Sequence, residues 1–343
     1  MGRFTIPSLL LLVLALVSVN HATLPSHMYW NTVLPNTPIP KAISDLLRVD
    51  VADQKTSTSV NVGHGGVGVY VGHGHGKRSG VSVGVGGGYG GYYGHYHHYG
   101  GSFIYRYAAS DDQLRDDPNV ALFFREESLR SGTKMNLHFT KTAPGAPFIP
   151  RSAAETLPFS SAKLPEILTR FSVDPKSEQA AEMKTTLREC EEPTVRGEDK
   201  FCATSLESMV DFTTSELGTN RVIAMSTTTV DAAEEEESPM QAYTKTSTVQ
   251  VLELVGPKMV VCHAQPYAYA VFYCHATETS KAYVVQMKGD EDKTVVKAVA
   301  ICHTDTSSWN PKHLAFRVLN IKPGTAPVCH FLPQDHVVWT KTN

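Results

Sequence analysis

Hydrophobic positions change their spacing partway along the chain. Leu164, Ile167, Leu168 and Phe171 fall at i, i+3, i+4 and i+7, and Leu206, Met209 and Val210 share one helical face. This periodicity predicts helices over Ser161–Phe171, Ser177–Arg188 and Ser205–Leu217, each with a serine at its start. Their apolar stripes call for a second layer to pack against. Beyond the acidic run Glu234–Glu237, read as a solvated loop, β-branched and aromatic residues predict strands. The expected strands are Thr248–Val255, Lys258–His263, Tyr267–Cys274, Ala282–Lys288, Thr294–Cys302, Leu314–Leu319 and Val337–Lys341. Residues 289–292 read GDED, turn chemistry that predicts a hairpin joining Ala282–Lys288 to Thr294–Cys302. Helices followed by strands argue an α+β class, with a β-rich antiparallel C-terminal half.

The start of the chain follows other rules. Arg3 precedes an apolar run from Ile6 to Val19, then small and polar residues lead to Ala22. This predicts a signal peptide over 1–22 and export of the remainder. No later apolar stretch reaches the roughly 20 residues a spanning helix needs, so no membrane partner is expected. A short segment, 23–52, has a Pro-rich beginning and an amphipathic end. Between Val62 and Gly101 lie 17 of the 25 glycines, with His64, His73, His75, His95, His97 and His98 among them. Such a composition buries little apolar surface, so residues 53–105 are expected to form a flexible arm whose histidines bind copper weakly at most. Residues 119–343 are expected to form the globular domain. With 41% apolar residues over 343 positions a sizeable core is available to it. A net charge of only −3 gives no field to recruit nucleic acid.

All six cysteines, Cys190, Cys202, Cys262, Cys274, Cys302 and Cys329, lie in the second half. An even number in an exported chain favours disulfides over a zinc site of mixed Cys and His ligands. Cys190 and Cys202 flank a Pro- and Gly-containing segment and are expected to pair, although either could instead link to the remaining four. Six cysteines allow 15 connectivities, and spacing does not choose among them. Four cysteines are followed at once by histidine: Cys262-His263, Cys274-His275, Cys302-His303 and Cys329-His330. Chance would give about a quarter of one such dipeptide in a chain of this composition. On a strand neighbouring side chains point to opposite faces, so a cysteine turned into the core would leave its histidine on the other face, directed outward. Imidazoles held on stapled strands suit copper or zinc, which makes His263, His275, His303 and His330 the candidate ligands. His138 and His336 are weaker candidates. No nucleophile elbow, Walker loop or zincin motif stands in a credible setting, so catalytic residues are not assigned.

The pattern Cys-His, ten residues, Cys-His, 26 residues, Cys-His, 25 residues, Cys-His resembles the signature of the plant BURP-domain family. The likeness continues through ALFFREESLRSGTKMNLHF (121–139), LPFSSAKLPEIL (157–168) and KFCATSLESMVDF (200–212). The stretches YWNTVLPNTPIPKAISDLL (29–47) and FIYRYAASDDQLRDDPNVALFF (103–124) look like the dehydration-responsive subfamily. The resemblance implies a secreted protein of the apoplast or cell wall, or of another secretory compartment, induced by dehydration or abscisic acid. Wall polysaccharides or wall proteins would be its partners, and copper its metal. It equally admits a copper-dependent autocatalytic peptide cyclase that cross-links a Tyr or Trp side chain oxidatively. Tyr89, Tyr92, Tyr93, Tyr96, Tyr99, Tyr105 and Tyr107 would then be the internal substrate region. No repeated short core ending in Trp is present, which favours the non-catalytic alternative.

Overall fold

The computed structural model describes residues 25–51, 56–63, 66–73, 81–83, 123–130, 132–139, 141–143, 145–193, 199–230, 241–246, 250–251, 258–309, 311 and 313–342. The expected signal peptide, the tyrosines from Tyr89 to Tyr107 and the run Glu234–Glu237 lie outside them. Two antiparallel sheets dominate, with helices on the outer face of one. The first sheet has the order β5 (Asp199–Ala203), β11 (Val271–Thr277), β10 (Met259–Gln265), β15 (Val337–Lys341), β6 (Val222–Met225). The second runs β14 (Val328–Phe331), β13 (Val295–His303), β12 (Ser280–Gly289), β8 (Gln241–Lys245), β4 (Lys134–Leu137). Two short strands join it: β7 (Thr228–Val230) pairs with β13, and β9 (Gln250–Val251) with β12.

Alternation along the strands sorts side chains into three apolar layers. Met259, Val261 and Val338 of the first sheet meet Ala282, Val299 and Ile301 of the second, with Leu332, so the sheets pack face to face. On its outer face the first sheet sends Cys262, Cys274, Phe272 and Trp339 against helix α6 (Leu206–Leu217). The second sheet turns Cys302, Cys329, Val285 and Ala298 outward, under Phe124 and Leu129. A further cluster, around Met183, Leu187 and Tyr267, holds α4 (Leu164–Arg170) and α5 (Glu178–Glu191) to the strap between β10 and β11. Among the described residues no helix is long and apolar enough to cross a membrane.

The expected helix starts are where serine places them. Ser177 caps α5 by accepting from Ala180 N–H at 3.1 Å, and Ser205 and Ser208 form a reciprocal capping box on α6. Gly218 closes α6 with φ +64°, a left-handed residue that glycine adopts without strain. The helix expected over Ser161–Phe171 divides into a 3₁₀ turn, Ser161–Lys163, and α4, because Pro165 belongs in a first turn. The expected hairpin is present, with Lys288 opposite Val295 and Ala282 opposite Ile301.

Other expectations need correction. Leu314–Leu319, read as a strand, is a short helix, α7; His313 caps its start through Nδ1, and Asn320 ends it in the left-handed region. An apolar run of six residues carries no decisive period, and the caps decide it. Tyr267–Ala270 is a strap packed on α4 and α5 rather than the start of β11. Apart from these corrections, β1 (Thr56–Gly63), β2 (Gly66–His73) and β3 (Val81–Val83), within residues 53–105, pair into a separate antiparallel sheet. Valine alternating with small and polar residues is a period-two pattern that glycine content obscures.

The 23–52 segment supplies α1 (Ser26–Val33) and α2 (Lys41–Val51), and both enter the core of the first sheet. Trp30 is fully buried against Trp339, ring centroids 5.2 Å apart, and its indole N–H donates to Thr37 O at 2.8 Å. Thr37 in turn donates its hydroxyl to Val222 O at 2.7 Å, and Tyr29 to Asp211. Truncating a fully buried tryptophan costs about 3–5 kcal/mol through lost burial and the cavity left behind. Trp30→Ala should therefore lower the urea midpoint of the whole protein with an unchanged m-value; a loss of unfolding free energy below about 1 kcal/mol would show that the N-terminal helices are not part of the cooperative unit.

Candidate metal centre

Cys262 and Cys274 are direct partners across β10 and β11, and Cys302 and Cys329 across β13 and β14; each pair is a disulfide with Cα atoms 4.0 Å apart. Cys190 and Cys202 form the third, joining α5 to β5, the pairing expected from the Pro- and Gly-containing segment they flank. The two cross-strand bridges lie in the outer apolar layers. Their neighbouring histidines therefore emerge on the inner faces, between the sheets. They do not point outward: His263, His275, His303 and His330 are 0%, 2%, 4% and 9% exposed.

Each bridge sets two imidazoles diagonally on one face, because His263 stands opposite Tyr273 while His275 stands opposite Val261. Their rings stack at 5.3 Å and 22°, with Nε2 atoms 3.2 Å apart. The second sheet repeats the arrangement: His303 and His330 stack at 5.5 Å and 18°, with Nε2 atoms 3.4 Å apart. In each pair the Nε2 atoms face one another, and the Nδ1 atoms of three of the rings are tied to protein groups. His330 Nδ1–H donates to Phe331 O at 3.3 Å, His303 Nδ1 meets Ser280 Oγ at 3.1 Å, and His263 Nδ1 meets His336 Nδ1 at 2.9 Å. A carbonyl oxygen only accepts, so the neutral His330 ring carries its proton on Nδ1 and leaves Nε2 bare.

Burial dictates the protonation state. Desolvation, with the neighbouring imidazoles adding repulsion, holds His263 and His303 well below the usual histidine range. His330 is held down to about 4 and His336 to about 3, again chiefly by burial. The neutral ring is the form that binds a metal.

An all-imidazole donor set suits copper or zinc. With metal–nitrogen bonds of about 2.0–2.1 Å, two ligands on a tetrahedral ion stand about 3.3 Å apart, the spacing of these Nε2 pairs. Partners on Nδ1 are what such ligands need to keep Nε2 directed inward. Among the described residues no three or more His, Cys, Asp or Glu side chains are already disposed to hold one ion; the fold presents two clefts of two nitrogens each.

The remaining histidines divide. His138 is exposed at the end of β4. His336 is 1% exposed and bonded directly to His263. His313 also reaches this neighbourhood: Trp309 packs on both His303 and His313, at 5.0 and 4.6 Å. The Nδ1 of His313 accepts from Ala315 N–H, so the neutral ring carries its proton on Nε2, which is buried without a hydrogen-bond partner among the described residues. Neither His313 nor Thr142, which contacts His336, carried a sequence signal; both are brought in by strands and loops remote in the chain.

Comparison with known proteins identifies the domain that carries these residues. Residues 122–341 match the BURP domain. BURP domain protein RD22 of Arabidopsis thaliana is 44% identical over 97% of this chain and 98% of its own length. BURP domain-containing protein 3 of Oryza sativa subsp. japonica is 60% identical over 70% of this chain, which spans 55% of that protein. Protein RAFTIN 1B of Triticum aestivum is 34% identical over 92% of this chain and 90% of its own length.

The buried rings set the pH response of the metal-free protein. Unfolded histidines take up protons as the pH falls through about 6.5, whereas folded His313 and His330 do so only near 4 and His336 near 3. Stability is thus present at neutral pH and drains as the pH falls through this window. Asp335, raised by burial to about 6, works in the opposite sense and offsets part of the loss. The urea midpoint should fall continuously from pH 7 to pH 4; a flat profile would mean that the rings are solvated.

Proposed function

Since the chain belongs to the BURP-domain family of plant proteins, we propose that it is a secreted, stress-responsive protein of the apoplast or cell wall whose inner-face histidines bind copper. His263, His275, His303 and His330 are the proposed ligands. The observation that carries this reading is the confinement of four buried imidazoles between two sheets, in pairs whose Nε2 atoms face each other at 3.2 and 3.4 Å. Three disulfides suit an oxidising, extracellular destination.

The role favoured for the ion is structural. One pair of rings belongs to each sheet, so a metal drawing on both would fasten the two halves of the sandwich. The residues around it do the remaining work: Ser280, Phe331 and His336 orient rings through Nδ1, while Val261, Ile301 and Trp309 keep water away. Copper bound there would also supply one-electron chemistry, which is the basis of the alternative, an oxidative cyclase acting on the tyrosines between Tyr89 and Tyr107. A phenol reaching the ligands would have to pass into a site whose most open histidine is 9% exposed, and this favours the structural role.

Copper added to the full-length mature protein at 100 times its Kd should stabilise it by about 2.7 kcal/mol. The double variants His263→Ala/His275→Ala and His303→Ala/His330→Ala should each lose that gain; retention of it in both would remove the metal assignment. Intact-mass analysis after copper loading in air should show an unchanged arm, whereas loss of two hydrogens in the Tyr89–Tyr107 peptides would establish the cyclase alternative.

A further inference from the structure

A hydrogen-bonded line leads from His263 to the edge of the fold, and its polarity is determined at the far end. Asp335 is 8% exposed and lines a cavity of about 120 Å³ with Lys141, Ala143 and Ala264. Its Oδ2 accepts the backbone N–H groups of Thr142 and Ala143 at 2.7 and 2.8 Å. The Thr142 hydroxyl lies 3.1 and 3.3 Å from the two carboxylate oxygens and 3.4 Å from Ala264 O. It also meets His336 Nε2 at 2.8 Å. From there the line runs His336 Nδ1 to His263 Nδ1 at 2.9 Å, then His263 Nε2 to His275 Nε2 at 3.2 Å.

Carboxylate and carbonyl oxygens have no hydrogen to give. The single hydroxyl hydrogen of Thr142 therefore goes to Asp335 or Ala264 O, and its lone pair must accept from His336 Nε2–H. A neutral imidazole has one donor and one acceptor, so His336 Nδ1 is bare and accepts from His263 Nδ1–H. His263 Nε2 is then bare as well. In the reversed polarity Thr142 would donate to His336 and leave its oxygen facing three acceptor oxygens, two of them in a buried carboxylate.

We infer that Asp335, acting through Thr142 and His336, sets the tautomer of His263 and holds its Nε2 lone pair toward His275, making the three residues a positioning relay for one half of the metal centre. The consequence for metal binding rests on the copper reading above, but the tautomer does not. The relay joins the loop before β15 to the segment after β4, so it also couples the orientation of His263 on β10 to the packing of segments nearly two hundred residues apart in sequence.

Long-range ¹⁵N–¹H spectra of the imidazoles in the metal-free, full-length mature protein at pH 7.5 provide the test. Wild type should show His263 protonated on Nδ1 and His336 on Nε2. Thr142→Val should convert His263 to a mixture of tautomers and weaken copper affinity, measured by competition with a chelator, by 10–100-fold. Thr142→Ser should restore both. A wild-type His263 protonated on Nε2 overturns the inference without recourse to any variant, and so does a Thr142→Val protein with the wild-type tautomer. If copper does not bind wild type while the tautomers behave as stated, the metal reading falls and the relay stands.

Discussion

Side chains leave a β-strand alternately to one face and the other, and a cysteine followed by a histidine converts that alternation into a division of labour. Once Cys262 and Cys274 meet across one ladder, and Cys302 and Cys329 across another, the adjoining imidazoles are committed to the opposite faces. Both bridges look away from the interior of the sandwich, into separate apolar layers. The two histidine pairs are consequently driven toward each other from opposing sheets. Sulfur holds the register, and the register aims the rings.

Placing several imidazoles between sheets is costly unless their nitrogens find partners and their charge is suppressed. Both conditions are met here. Ser280, Phe331 O and the line through Thr142 engage Nδ1 atoms, while burial keeps the rings neutral. The interior is thereby graded: Met259, Val261, Val299 and Ile301 close it with aliphatic contacts, and the rings take over at the C-terminal ends of β10 and β13. Clefts of paired, buried nitrogens within a disulfide-locked frame are pre-organised in the sense that little must be ordered when a ligand arrives.

Much of this arrangement was legible in the chain. The helices capped by Ser177 and Ser205, the GDED hairpin, the Cys190–Cys202 link and the four Cys-His pairs are all local patterns, and local patterns survive folding. What escaped was of two kinds. Short apolar runs such as Leu314–Leu319 have no decisive period, so caps at His313 and Asn320 determine their form. Burial of the rings depended on a second sheet whose approach no dipeptide encodes; a face called outward on one strand became the interior of a sandwich. Likewise His336, a weaker candidate in the sequence, is met by Thr142 only through a tertiary contact, and neither Thr142 nor Asp335 carries a local signal of its part in that contact.

The docking of Trp30 on Trp339 has a practical corollary. Homology to the BURP domain begins at residue 122, yet the flank of the first sheet is covered by helices that precede it by some seventy positions or more. A fragment cut at the homology boundary would bare an oily trench along β6, β15 and β10. Its poor behaviour in isolation would report a severed lid, not a defective domain.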